Sequence, residues 1–138
     1  MISRIQASIS YQIVFVFAFS ILIICSAVIW NINDIGYQTR SFEHYKISKT
    51  TYLDLNELET ISRGIRYYFN STQSSLEVSF PNAPDTSVFN DKEISHMKDV
   101  KTIIHYIYAL FALTLGIVIA TIFGYIQNSY AKKRFFQL

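Results

Sequence analysis

A histidine with a carboxylate on each side is the part of this sequence best suited to chemistry. His96 lies three residues after Glu93 and three residues before Asp99. Residues three apart on a helix are neighbours, so either carboxylate could favour the imidazolium form and fix the ring tautomer. That arrangement suits a general base. The same spacing is also common among charge pairs on exposed helices, so these three residues alone leave a catalytic site and a solvated helix surface both open.

Other chemistries find no support in the residue pattern. His105 lies nine positions after His96, about 13 Å along a helix and nearly on its opposite face, so the two cannot share a metal ion. His44 is isolated, and no cluster of Cys or acidic residues completes a metal site, so neither a metal nor a cofactor is expected. No nucleophile elbow or glycine-rich phosphate loop is present. The basic residues form no patch, so no nucleic-acid partner is expected.

His96 lies near the start of a long predicted helix. Asn90 and Glu93 have the spacing of a capping box, and Asp91 adds a negative charge where the helix dipole favours one. No Pro follows Pro84 and the next Gly is Gly116, so the helix is predicted to continue without a break into an apolar segment. One predicted apolar stripe on this helix borders the histidine and consists of Ile94, Met97, Val100, Ile104 and Ile107.

Two uncharged apolar segments enclose all the acidic residues of the chain. Tyr11 to Trp30 is almost entirely apolar, and Thr102 to Ala131 carries no charge; about 20 such residues span a hydrocarbon core of roughly 30 Å. The pattern predicts a mostly α-helical membrane protein with transmembrane helices at 11–32 and 102–128, a loop at 33–101, and short ends at 1–10 and 129–138. A cleaved signal peptide is the alternative for the first segment, which is long for that role.

The flanking charges predict how the chain is oriented. Lys132, Lys133 and Arg134 follow the second apolar segment, and Arg4 precedes the first, so both ends are predicted to be cytoplasmic. The loop would then face outward from the plasma membrane. The single Cys25 excludes a disulfide within the chain, and the bulky Ile24 before it makes lipidation a poor interpretation.

The loop contains a second predicted helix and a small β-ribbon. Apolar residues recur at helical spacing within 51–70, namely Leu55, Leu58, Ile61, Ile65 and Tyr68. Alternation at Leu76, Val78 and Phe80 predicts a strand at about 74–80, and a second short strand is predicted at about 86–89. Such a ribbon must lean on the helices to be stable. The stretch from Tyr37 to Lys49 has no clear pattern.

The residues around His96 resemble a known family. Eight positions just ahead of the second span, Phe89, Glu93, Ile94, His96, Met97, Asp99, Val100 and Lys101, are similar to the F-x-x-x-E-[IV]-x-H-M-x-D-V-K motif of bacterial lipoprotein intramolecular transacylases. Arg63, ahead of the aromatic run 67–69, resembles the family segment that precedes the motif. The resemblance implies migration of an acyl chain from the glyceryl group on a lipoprotein's N-terminal Cys to the amino group of that Cys, which yields a lyso-form lipoprotein.

The resemblance also implies roles for individual residues. Acyl transfer to an amine needs a base that frees the amine of its proton and donors that steady the developing oxyanion. His96 would be the base, and Asp99 and Glu93 would orient it. Lys101 and Arg63 would bind substrate, with Lys101 steadying negative charge or holding headgroups. The implied partners are membrane lipid and a diacylated lipoprotein.

The sequence departs from the family pattern in its second half. Family members are expected to have about four spans and a second functional histidine later in the chain, whereas two spans precede Leu138 and His105 lies in the wrong place. We therefore expect the N-terminal half of such an enzyme, as a truncated product, a fragment or one part of an assembly with partner helices. Two alternatives stay open: a two-span membrane sensor or accessory subunit, and a structural membrane protein without a site.

The height of His96 above the membrane is a further constraint. If the hydrocarbon begins near Tyr106, a straight helix lifts His96 by about 15 Å, beyond a headgroup layer of roughly 5 to 7 Å. Catalysis at His96 would then require a tilted helix, a span placed further outward, or a loop that folds into a pocket.

Overall fold

The computed structural model describes residues 2–135, and side chains within residues 11–127. The elements in chain order are α1 (Ile2–Asn33), α2 (Ile35–His44), α3 (Ile47–Thr51), α4 (Leu55–Asn70), β1 (Ser79–Phe80), β2 (Ala83–Ser87) and α5 (Asp91–Phe135). The predicted class is confirmed: the chain is mostly helical, with two long apolar helices and a small antiparallel two-stranded ribbon.

One of two compact units contains the apolar helices, as α1 up to Ala27 and α5 from Ile107. The stretches Tyr11–Asn33 and Asp91–Gln127 are long and apolar enough to cross a membrane. An apolar core helix of a soluble protein would be mostly buried, whereas 11% of the most apolar part of each helix is buried here. The hydroxyls of Ser20 and Thr121 donate to the carbonyls four residues earlier, which satisfies them inside their own helices. Both features suit a lipid environment.

The other unit, Val28–Tyr106, has its core around α4. The core is formed by the apolar face of α4 and by buried side chains from α2, α5 and the residues just before β1. The buried residues of α4 are Leu58, Ile61, Tyr68 and Phe69, and the others are Leu76, Val78, Ile35 and Ile104. A capping box fixes the start of α4, because Asp54 Oδ1 accepts from Glu57 N–H at 2.8 Å and Glu57 Oε2 accepts from Asp54 N–H at 2.8 Å. The helix therefore begins at Leu55, the first residue of the apolar repeat and a few residues inside the predicted range 51–70.

The stretch that had no clear sequence pattern forms α2 and α3. Asp34 caps α2 by accepting from Tyr37 N–H at 2.9 Å, and Ile35 buries the first turn of α2 in the core. Lys46 and Tyr52, one at each end of α3, adopt the left-handed conformation with φ of 53° and 59°. These turns separate α3 from its neighbours without a glycine to mark them in the sequence.

The ribbon region packs against α4 at two points, a hydrogen bond between side chains and a close approach at a glycine. β1 and β2 pair Ser79 with Ser87 and Phe80 with Ala83, with an irregular register between the two pairs. Asn82 in the turn donates to the carboxylate of Glu57 on α4. Gly64 on α4 has no side chain at the point where Val78, the residue before β1, approaches. The chain around Val78 can therefore lie close to the helix.

Substituting Gly64→Ala is expected to destabilise this unit. The added Cβ would lie 2.8 Å from Val78 Cγ2, and Val78 is buried and β-branched, so it cannot easily turn away. Overpacking typically costs about 1 to 3 kcal/mol, offset here by up to about 1 kcal/mol of improved helix propensity. Thermal unfolding in detergent should give a lower midpoint for Gly64→Ala than for the parent chain.

Gly116→Ala is the matched control, because nothing in the described structure lies within 4 Å of a Cβ added there. The cost of Gly64→Ala should also shrink when it is measured in a Val78→Ala background, since the clashing methyl groups are then gone. Equal unfolding midpoints for Gly64→Ala and Gly116→Ala would show that Val78 does not pack closely against α4.

Candidate functional site

The helix that carries His96 begins with the predicted capping box. Asn90 N–H donates to Glu93 Oε2 at 2.9 Å, and Glu93 N–H donates to Asn90 Oδ1 at 3.0 Å. The carbonyl of Asn90 accepts the first helical bond, from Ile94 N–H. This prediction is confirmed, and the cap sets the direction of the first turns of α5.

His96 and its two carboxylates lie on the solvent-exposed surface of α5. His96, Glu93 and Asp99 are all exposed, and the predicted apolar stripe beside them is half-buried or buried. Within residues 11–127 the His96 ring makes no hydrogen bond or ion pair, and the Glu93 carboxylate is held by the cap. The structure therefore leaves the ring accessible to a substrate. Orientation of His96 by Asp99 or Glu93 stays a prediction.

Lys101 is buried, unlike the other charged residues of the motif. The residue is 8% exposed, and Nζ donates to the carbonyl of Gln73 at 2.7 Å. The ammonium lies 4.2 Å from the centroid of the Tyr68 ring, a cation–π contact worth about 2 kcal/mol or more when desolvated. No carboxylate among the described side chains forms an ion pair with it. Burying a cation without a counter-ion costs free energy, and the hydrogen bond to Gln73 and the contact with the Tyr68 ring offset part of that cost.

Tyr68 adds an unpaired donor to the same cluster. The residue is 1% exposed, and its hydroxyl has no hydrogen-bond partner among the described residues. Burial raises the pKa of Tyr68, so the hydroxyl stays protonated at neutral pH. An unpaired buried hydroxyl costs about 1 to 3 kcal/mol, and a polar group of a bound substrate could satisfy it.

His105 has a structural contact that the sequence did not suggest. Its Nε2 donates to the carbonyl of Phe69 at 3.0 Å. Phe69 lies in the last turn of α4, where carbonyls lack helical partners. Lys101 and His105 are one turn apart on α5, so together they hold the end of α4 and the residues just after it. The only sign of this shared role in the sequence is that Lys101 and His105 are four residues apart, which places them on the same face of a helix.

Arg63 lies on the exposed surface of α4. Its Nη2 and Nε donate to Glu59 Oε1 at 2.6 and 3.0 Å, an ion pair one helical turn apart. In the described part of the chain no hydrogen bond or ion pair joins Arg63 to His96 or Lys101. Its role in substrate binding stays a prediction. Among the described residues no group of three His, Cys, Asp or Glu residues is placed to hold a metal ion.

The model of the family described as lipoprotein intramolecular transacylase Lit matches residues 13–138. The match includes α1 from residue 13 onward, the loop unit, α5 and the motif around His96. No curated protein and no solved structure matches the sequence.

Proposed function

The chain belongs to the lipoprotein intramolecular transacylase family, and we propose on that basis that it takes part in acyl migration within a diacylated lipoprotein. The acyl chain would move from the glyceryl group on the N-terminal Cys to the amino group of that Cys. The lyso-form lipoprotein is the product. The observation that carries this proposal is the family match over residues 13–138, which contains His96 and its motif.

The proposed role of His96 is proton transfer. The amino nitrogen attacks the ester carbonyl, the new amide C–N bond forms, and the C–O bond to the glyceryl group breaks. His96 takes the proton from the nitrogen and returns it to the glyceryl oxygen, which leaves as an alcohol. Its exposure and its freedom from partners within residues 11–127 support this role, because the ring can approach the amine. Ester and amine come from the same molecule, so positioning supplies much of the remaining rate.

Lys101 and Arg63 are proposed to bind the substrate. Lys101 uses one of its three N–H donors on Gln73, so two remain for an oxyanion or a headgroup oxygen beside Tyr68. Arg63 would exchange its exposed contact with Glu59 for a substrate anion at little cost, because surface ion pairs contribute about 0 to 1 kcal/mol.

The proposed orientation puts residues 33–101 outside the plasma membrane of a bacterium and both ends inside. It rests on the flanking charges, of which Lys132, Lys133 and Arg134 lie beyond the described side chains. This orientation would place His96 on the side where lipoproteins carry their N-terminal lipid.

Labelling of single cysteines in intact cells tests that orientation. In a Cys25→Ser background, Ser74→Cys should react with a membrane-impermeant thiol reagent, since Ser74 is exposed in the loop unit. Gln137→Cys, which lies outside the described residues, should react only after the cells are permeabilised. The reverse result would put His96 on the cytoplasmic side and remove it from its substrate.

Mass spectrometry of lipoprotein N-termini tests the proposed activity. A host without transacylase activity of its own would express this chain alone, or together with the later half of a four-span relative. Lyso-form lipoprotein should accumulate in at least one of the two strains and not in the host alone. Its absence from both strains, with the chain present in the membrane, would contradict the proposal.

A further inference from the structure

Residues 36–53 contain three tyrosines whose rings are exposed to solvent. Tyr45 and Tyr52, which lie on either side of α3, are 72% and 92% exposed, and Tyr37 on α2 is also exposed. Tyrosine rings are amphipathic and collect at the level of lipid headgroups, where the ring meets apolar chains and the hydroxyl meets water. We name residues 36–53 the basic–aromatic segment.

The charges of this segment have one predominant sign. Arg40, Lys46 and Lys49 are exposed, and Glu43 is the single acidic residue between Asp34 and Asp54. In the part of the chain that the structure describes, none of these three basic residues forms an ion pair. Residues 36–53 therefore carry a formal charge of +2, from three basic residues and Glu43, and Asp34 and Asp54 flank them.

The backbone holds this surface in an unusual conformation. Lys46 and Tyr52 both adopt the left-handed region, which costs a residue with a side chain roughly 1 to 2 kcal/mol. Tyr52 gains no burial within the chain in return. The turn at Tyr52 is closed within the chain, since Tyr52 N–H donates to the carbonyl of Ser48 at 3.0 Å, and it leaves the ring of Tyr52 accessible to an outside partner.

A lipid surface is the partner that best fits these features. The segment follows α1 directly, with Asp34 alone between the two helices, so a membrane-spanning α1 would tether it to a bilayer. Exposed lysines interleaved with tyrosines match anionic headgroups above an apolar layer. The ribbon offers a contrast, since every residue of β2 is exposed but its one charge is Asp85.

We propose that residues 36–53 bind the anionic headgroups of the bilayer surface, with Tyr45 and Tyr52 entering the interface and Lys46 and Lys49 contacting lipid phosphates. This contact would hold the loop unit against the membrane. It does not depend on acyl transfer, and none of these residues belongs to the proposed catalytic site.

Fluorescence quenching by brominated lipids tests this proposal on the full chain in lipid nanodiscs. Trp30, the only tryptophan, is first replaced by Phe, and one indole is then introduced by Tyr52→Trp. Tyr45→Trp gives a second reporter, should the first variant fold poorly. Thr86→Trp in the exposed β2 is the matched control. The nanodiscs contain phosphatidylcholine and phosphatidylglycerol, with one or the other brominated.

The indole at position 52 should be quenched by brominated lipid, whereas the control should be quenched mainly by acrylamide in the water. At equal mole fraction, brominated phosphatidylglycerol should quench several-fold more than brominated phosphatidylcholine, since each lysine near the surface enriches anionic lipid by up to about fivefold. Lys46→Gln with Lys49→Gln should remove that preference. Quenching at position 52 no greater than at position 86, or equal quenching by the two lipids, would overturn the proposal.

Discussion

Replacing His96 with Asn is expected to lower the rate of acyl migration by about 10²-fold to 10⁴-fold, the usual contribution of one general base. His96 is exposed and has no hydrogen-bond or ion-pair partner within residues 11–127, so the substitution should leave the fold intact. Asn can still form hydrogen bonds but cannot take the proton from the amine. The measurement is the initial rate of lyso-form production from a synthetic diacylated lipopeptide, in the membrane preparation that gives product with the parent chain.

Ser95→Asn is the matched control for this experiment. Ser95 precedes His96 on the same exposed turn of α5, so it reports on any general effect of an added amide. Its rate should stay close to that of the parent chain. A rate for His96→Asn equal to that for Ser95→Asn would remove His96 from the mechanism.

Truncating Lys101 to Ala is expected to destabilise the loop unit strongly. The change removes a long buried side chain, which typically costs about 2 to 5 kcal/mol, and leaves Gln73 O and the Tyr68 ring without their cation. Thermal unfolding of the full chain in detergent is the measurement. Lys98→Ala is the matched control, because Lys98 is exposed one turn earlier on α5. Equal midpoints for the two variants would show that Lys101 does not hold α4 in place.

Lys101→Met separates the structural role of this residue from its proposed role in substrate binding. Methionine keeps most of the buried stem and avoids the cost of burying a charge, so most of the stability should return. Acyl migration should remain slow if the ammonium steadies negative charge on the substrate. Recovery of both stability and rate would leave Lys101 as a structural residue only.

Local patterns predicted the elements that position His96. The absence of a helix breaker after Pro84 predicted that α5 is continuous, and the spacing of Asn90 and Glu93 predicted its cap. Sequence distance explains what was missed: Lys101 and His105 bind carbonyls 28 and 36 residues away, which no local period encodes. The turns at Lys46 and Tyr52 were missed because neither is a glycine.

The predicted pairing of His96 with its carboxylates shows where spacing alone is insufficient. Residues three apart on a helix can meet, but Glu93 has a closer partner in the backbone N–H of Asn90. The cap uses Oε2 of Glu93 and draws its side chain toward the start of α5, whereas His96 lies one turn later. Asp99 has no such competing bond among the described residues, so it is the better candidate for an orienting role.

An isotope crossover experiment tests most directly whether this chain moves acyl groups within single lipoprotein molecules. Two diacylated lipopeptides are mixed in equal amounts, one with deuterated acyl chains on a light peptide and the other with ordinary acyl chains on a ¹⁵N-labelled peptide. Mass spectra of the lyso-form products should show each peptide carrying on its amino group an acyl chain from its own glyceryl group. Products with exchanged labels, or with an acyl chain from the surrounding phospholipid, would contradict intramolecular transfer.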